Sequence, residues 1–156
     1  DPVLKVFGKD TTLTGRTYLW SEGINNGLKK PVLGHGYFAF WQAGRPEAEH
    51  YWQKSLIPGK TGFHFHNLFI QSFVDLGFIG LTLVVLFILT NLYKSLRAVI
   101  KNGLEPEAGF ALGISVMFLI RGLVEVDLFG PFGLGPLIYF TILPRLARER
   151  KPDNDS

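Results

Sequence analysis

No cysteine occurs anywhere in this chain of 156 residues. That excludes disulfides and thiolate metal sites, and it is compatible with an extracytoplasmic location without proving one. No charge occurs from position 76 to position 93. A run of that length, rich in Leu, Val, Ile and Phe, is about what a helix needs to cross a bilayer core of ~30 Å. The basic residues behind the net charge of +3 are scattered along the chain, and the apolar half could not stay in water, so nucleic acid is not an expected partner. The start shows neither an initiator Met nor a positively charged, apolar signal segment. The chain therefore reads as the C-terminal piece of a larger polytopic protein.

What is present is segregated. Apolar residues make up 47% of the chain, yet positions 1–66 are mixed and polar whereas 68–144 are mostly apolar. The expected fold class is all-α: a fragment of a polytopic helical membrane protein with a large extracytoplasmic loop. The loop is placed at 1–66. The membrane region, 67–156, is expected to hold an interfacial helix, three transmembrane helices near 76–93, 108–124 and 128–144, and a basic cytoplasmic tail. In the last span, Pro131 suits a helix start and Pro136 would kink the helix. A re-entrant loop across Gly130–Pro136 is the alternative.

Charge in the short connections orients the chain. Lys94, Arg97 and Lys101 follow the first span, and Arg145, Arg148, Arg150 and Lys151 follow the third. The link between the second and third carries Glu125 and Asp127 with no Lys or Arg. The positive-inside tendency puts the first two regions in the cytoplasm and the link outside, with residues 1–66 on the outer side. The eight Lys and Arg of that segment do not contradict this, because loops beyond ~60 residues largely escape the rule.

Polar chemistry gathers at the mouth of the first span, in Thr61-Gly62-Phe63-His64-Phe65-His66-Asn67. Asn67 suits the cap of the helix that enters the membrane. An imidazole titrates near pH ~6.5 and can take a proton from a hydroxyl, so His66 and His64 are candidates for a general base. A loop hydrogen-bonding role and a metal pair are the alternatives, but no third ligand stands at a recognisable metal-site spacing. Upstream, Thr14 reads as the N-cap of a helix carrying Leu19, Trp20, Ile24 and Leu28 on one side. Arg16 would then sit one residue inside a helix N-terminus, among the hydroxyls of Thr11, Thr12, Thr14 and Thr17. Helix dipole, free N–H groups and guanidinium fork would together suit a phosphate. An exposed arginine on an ordinary helix is the plainer reading. Arg121 and Glu125, four apart on one helix face, read as an ion pair fixing helix packing. The many aromatic residues between Tyr37 and Phe65 read mostly as a membrane-interface belt, with stacking of one or two of them on sugar rings as the alternative.

Taken in order, four motifs carry a resemblance. They are Thr12-Leu13-Thr14-Gly15-Arg16-Thr17-x-x-Trp20, Pro31-x-Leu33-Gly34-x-Gly36-x-x-x-Phe40, His64-x-His66-Asn67 and Asp75-Leu76-Gly77-x-Ile79-Gly80-Leu81. Across about residues 8–93 the chain resembles the O-antigen ligase and bacterial polysaccharide polymerase family, particularly its exopolysaccharide production branch. His35, between two glycines, departs from the small or apolar residue more usual there. The resemblance implies a multi-pass protein of the bacterial inner membrane whose loop faces the periplasm. It implies metal-independent transfer of a glycan, without cofactor, from an undecaprenyl-diphosphate carrier to an acceptor hydroxyl. That acceptor would be the lipid A core for a ligase and another lipid-linked glycan for a polymerase. Residue chemistry and resemblance give the same roles: His66 as base with His64 in support, Arg16 with Thr14 and Thr17 on the diphosphate, and Asn67, Arg121 and Glu125 as supports. Membrane lipids and other polysaccharide assembly proteins would be its partners. A polytopic transporter or lipid-glycan flippase, or a non-catalytic subunit of an export complex, competes with this reading; neither needs a base beside the diphosphate.

Overall fold

A computed structural model describes residues 10–54, 58–60, 63–103, 105–128 and 133–142, with side chains for all of these except 10–14, 102, 141 and 142. The regular elements among the described residues are all helices, with no strand, as an all-α chain requires. The helices are α1 (Asp10–Lys29), α2 (Pro46–Lys54), α3 (Leu68–Asn102), α4 (Pro106–Gly122) and α5 (Leu134–Leu137), which runs into a π turn at Ile138–Ile142. Two compact units divide the chain, Asp1–Leu83 and Val84–Ser156.

In the first unit, α1 begins at Asp10, so Thr14 is an interior helical residue and not the cap expected of it. Thr-Thr-Leu-Thr contains no helix breaker, only residues of middling propensity, and the helix extends back through it. Arg16 consequently lies more than a turn from the helix start, and the proposed help from the N-terminal dipole falls away there. At the other end, α1 stops at Lys29, two residues before Pro31, whose ring disfavours the helical conformation in the residue ahead of it.

The aromatic residues expected to form an interface belt form a core instead. Phe40, Tyr51, Trp52 and Phe65 are at most 3% exposed, and Leu19 and Val74 complete the cluster from α1 and α3. Trp41 lies among them, 4.9 Å from Phe40, Phe63 and Phe65 by ring centroid. Composition does not distinguish the two outcomes, because an aromatic ring gains as much from a protein interior as from a lipid boundary. Tyr37 and Phe38 do remain exposed.

Helix α3 is the one described helix long and apolar enough to cross a membrane, by length and composition over Leu68–Lys101. Its helical geometry breaks at Gly77, with φ 66° and ψ −164°. Such a break frees backbone groups that must be satisfied elsewhere, and the loop at Pro31–Gly36 satisfies them. His35 N–H donates to the Val74 carbonyl at 2.9 Å and Gly36 N–H to Asp75 at 2.8 Å. Phe78 N–H donates to Pro31 at 2.7 Å and Ile79 N–H to Val32 at 3.4 Å. The two backbones meet so closely that a Cβ on Gly77 would overlap the Val32 carbonyl, and one on Gly34, itself at φ 70°, would overlap that of Asp75. Two of the sequence motifs are thus two halves of one backbone joint.

In the second unit α4 has Pro106 in its first turn, where its missing N–H costs nothing. Its 17 residues rise about 25 Å, short of the ~30 Å core. Helix α5 starts at Leu134 with Gly133 as cap, so Pro136 stands in a first turn and not at a mid-helix kink. Residues 129–132 and the tail from 143 onward, with Pro131 and the four basic tail residues, lie outside the described residues. Ser95 and Ser115 meet at 3.1 Å between α3 and α4, and Phe87 stacks on Phe140 with centroids 4.6 Å apart. Helix α4 ends at Gly122, yet the Glu125 N–H still bonds the Arg121 carbonyl one turn back at 2.7 Å, and the Glu125 carboxylate attracts the Arg121 guanidinium. The stronger partner is Asp127, whose carboxylate accepts from Arg121 Nε.

Candidate functional site

The segment ahead of α3 is set by two side chains. Asn67 Oδ1 accepts from the N–H groups of Phe69 and Ile70, both at 3.0 Å, the N2 and N3 bonds of an N-cap. One turn further in, the buried Gln71 amide holds the loop from behind. Its Oε1 accepts from Phe65 N–H at 3.1 Å and from Trp41 Nε1 at 3.3 Å, and its Nε2 donates to Asp75 Oδ2 at 2.9 Å. Asp75 is fully buried, and its other oxygen, Oδ1, has no hydrogen-bond partner. From the far side, Trp20 Nε1 donates to the Phe65 carbonyl at 2.9 Å, which ties α1 to the same loop.

Between these fixed points His66 takes a left-handed backbone, φ 50°, a conformation that costs about 1 kcal/mol outside glycine. Its N–H donates to His64 Nδ1 at 3.1 Å, and the two rings lie 4.1 Å apart by centroid. That bond makes Nδ1 of His64 an acceptor, so its neutral ring carries the proton on Nε2.

A cavity of about 480 Å³ opens between α1, α2 and this loop, lined by Gly15, Arg16, Tyr18 and Leu19, by Tyr51 and Lys54, and by Phe63 and His66. The fold therefore brings Arg16 and His66 to one cavity although fifty positions of sequence separate them. His64 and Asn67 are not among its described lining residues; they contact and position the segment that is. Thr17 is exposed on α1 and also outside the lining, and the Thr14 side chain lies outside the described residues. Arg121 and Glu125 belong to the second unit. Tyr51 donates to Glu22 Oε2 at 2.9 Å and accepts from Asn26 Nδ2 at 3.0 Å. Burial first, then the Glu22 bond, push its phenol far above the usual range, so it stays a neutral donor.

His35, the departure within the glycine motif, has a structural explanation. Its Nε2 faces the Asn26 carbonyl at 3.0 Å and its Nδ1 faces Arg45 Nη1 at 3.3 Å. The ring links α1 to the segment before α2, and with both nitrogens engaged it has no place in the cavity. Tyr51 and Phe63 come from the aromatic group that the sequence singles out, whereas Tyr18 and Lys54 are cavity residues that sequence reasoning missed. Only the Tyr51–Lys54 spacing of one helical turn hinted that the last of these shares a face with a cavity residue.

The sequence matches the O-antigen ligase family over residues 2–85. The chain belongs to the O-antigen ligase family. The match spans α1, the backbone joint, α2, the histidine loop and the first half of α3, which together contain every described residue of the cavity. The chain is also 41% identical over 153 residues to the exopolysaccharide production protein ExoQ of Rhizobium meliloti (strain 1021), covering 95% of this chain and 35% of ExoQ. A Haemophilus influenzae protein described only as uncharacterized is 28% identical over 109 residues, covering 68% of this chain and 26% of its own length. The chain thus spans about a third or less of the curated relatives it matches. No solved structure matches it significantly.

Proposed function

We propose that this chain forms the outward-facing catalytic part of a membrane glycosyl transferase in the assembly of a bacterial surface polysaccharide or exopolysaccharide. The donor is a glycan on undecaprenyl diphosphate, and the acceptor is the hydroxyl of another glycan or of a lipid A core. The protein is a multi-pass component of the inner membrane, with residues 1–66 on the periplasmic side. The observation that carries this reading is the joint presence of Arg16 and His66 in one cavity, within the family match and beside the apolar run of α3.

His66 accepts the acceptor's hydroxyl proton on a ring nitrogen as the hydroxyl oxygen attacks the anomeric carbon. The bond from that carbon to the diphosphate oxygen breaks, and undecaprenyl diphosphate leaves with the bonding electrons. Arg16 meets the developing charge with a fork of N–H donors, the kind of preorganised compensation that most effectively stabilises a leaving anion. His64 and Asn67 keep His66 in place. A donor carried on a lipid explains why the base stands where a membrane helix begins. The chemistry needs no metal, because base and cation together supply what a Lewis acid would.

The test is transfer by purified full-length protein with a defined undecaprenyl-diphosphate oligosaccharide. Longer carrier-linked glycans would identify a polymerase, and glycan joined to lipid A core a ligase, in either case with EDTA leaving the rate unchanged. Movement of the donor between leaflets with no new glycosidic bond would instead make the protein a flippase and refute the reading.

A further inference from the structure

Lys54 lines the cavity yet has no part in the chemistry described above. It ends α2, and its ammonium sits 3.4 Å from the centroid of the Tyr18 ring, itself a wall of the cavity two residues beyond Arg16. A lysine free to swing loses up to about 2 kcal/mol of rotamer entropy when it closes on an anion. One already resting on an aromatic face has lost much of that freedom beforehand. No Asp or Glu is among the described lining residues. The cation from α1 and the cation from α2 also differ in kind: a planar fork for one phosphate and a compact three-donor charge that follows the other.

We propose that Lys54, preorganised on the Tyr18 ring, is the second cation of the anion-binding wall, and that it gives the cavity its preference for a diphosphate over a monophosphate carrier. This rests on the donor reading above. It also supplies what α1 cannot, since Arg16 stands too far from the helix start for the dipole to assist it.

The experiment measures the affinity of full-length protein in lipid nanodiscs for two probes, undecaprenyl diphosphate and undecaprenyl monophosphate. Lys54→Gln is expected to weaken the diphosphate about tenfold, the loss typical of one charge-assisted contact, and to leave the monophosphate nearly unchanged. Lys54→Arg should restore most of the preference. Tyr18→Phe, which keeps the ring, should match the native protein, whereas Tyr18→Leu should lose part of the preference. Since Lys54 is exposed, its replacement should leave the melting temperature unaltered. Native diphosphate affinity in Lys54→Gln, with binding lost in Arg16→Gln, would overturn the role of Lys54 and leave the donor reading intact. Native affinity in both variants would remove the donor reading and this inference with it.

Discussion

The two units of this chain are held together by different forces. In the first, polar bonds cross from element to element: Trp20 to the Phe65 carbonyl, Tyr51 to Glu22 and Asn26, Gln71 to Phe65, Trp41 and Asp75, and four backbone bonds across the break at Gly77. In the second, among the described residues, ring stacking, one serine pair and the Tyr139 hydroxyl on the Ile88 carbonyl do the equivalent work, while Leu86, Tyr93, Ile100, Phe110, Ile120 and Phe140 all stand at least half exposed. A surface of that kind suits a hydrocarbon solvent, which gives apolar side chains no reason to turn inward. The contrast separates a unit built to fix the positions of polar groups from one built to sit among apolar neighbours. Substitutions of the same chemical type should therefore have very different effects in the two.

Glycine replacement should separate them most. Gly77→Ala demands a left-handed backbone from a residue that disfavours it and drives a methyl into the Val32 carbonyl, so it should cost at least ~2–3 kcal/mol. Low accumulation in the membrane and a melting temperature down by several degrees would report this. Gly113, on α4, has open space where a Cβ would lie, and Gly113→Ala should be neutral or slightly stabilising, by up to ~1 kcal/mol. Similar melting temperatures for the two variants would erase the comparison.

Arginine replacement should come next. Arg16→Lys keeps the charge but loses the fork, and activity should fall about 10- to 100-fold. Arg121→Lys, in the second unit and paired with Asp127, should stay within about threefold of native. Steady-state transfer rates on both variants decide it, and equal, small losses would show that Arg16 does not hold the diphosphate.

The smallest contrast is between two buried hydroxyls. Tyr51→Phe leaves Glu22 and Asn26 without their shared partner and should cost about 1–2 kcal/mol. Ser115→Ala removes one side of the Ser95 pair, and Ser95 keeps its bond to the Asn91 carbonyl at 2.8 Å. That loss should stay below ~1 kcal/mol. Chemical denaturation in detergent would measure both.

Local signals were legible in the sequence, and contacts between distant positions were not. Asn67 as a cap and the apolar run behind it are encoded by neighbouring residues, and a glycine at position 77 permits the bend found in that run. The partner that fills that bend is not encoded nearby, because Pro31–Gly36 arrives from forty residues upstream. The same limit hid Lys54, whose partner Tyr18 lies on another helix. Two helix ends misled in opposite directions. Helix α1 starts earlier than its threonines suggest, which moves Arg16 away from the dipole. Helix α4 stops before Asp127, and the turn that follows brings that carboxylate to Arg121 as its stronger partner. The aromatic residues showed that apolar surface had to be covered, and only the fold decided that protein and not lipid would cover it.

The central claim is that His66 removes the acceptor's proton. It is tested most directly by single-turnover transfer from undecaprenyl-diphosphate oligosaccharide in His66→Ala full-length protein, with donor affinity measured on the same preparation. The account predicts a rate lower by about 10²- to 10⁴-fold, donor binding close to native, and a smaller loss for His64→Ala. A near-native rate in His66→Ala, or a wild-type protein silenced by EDTA and restored by zinc, would contradict it.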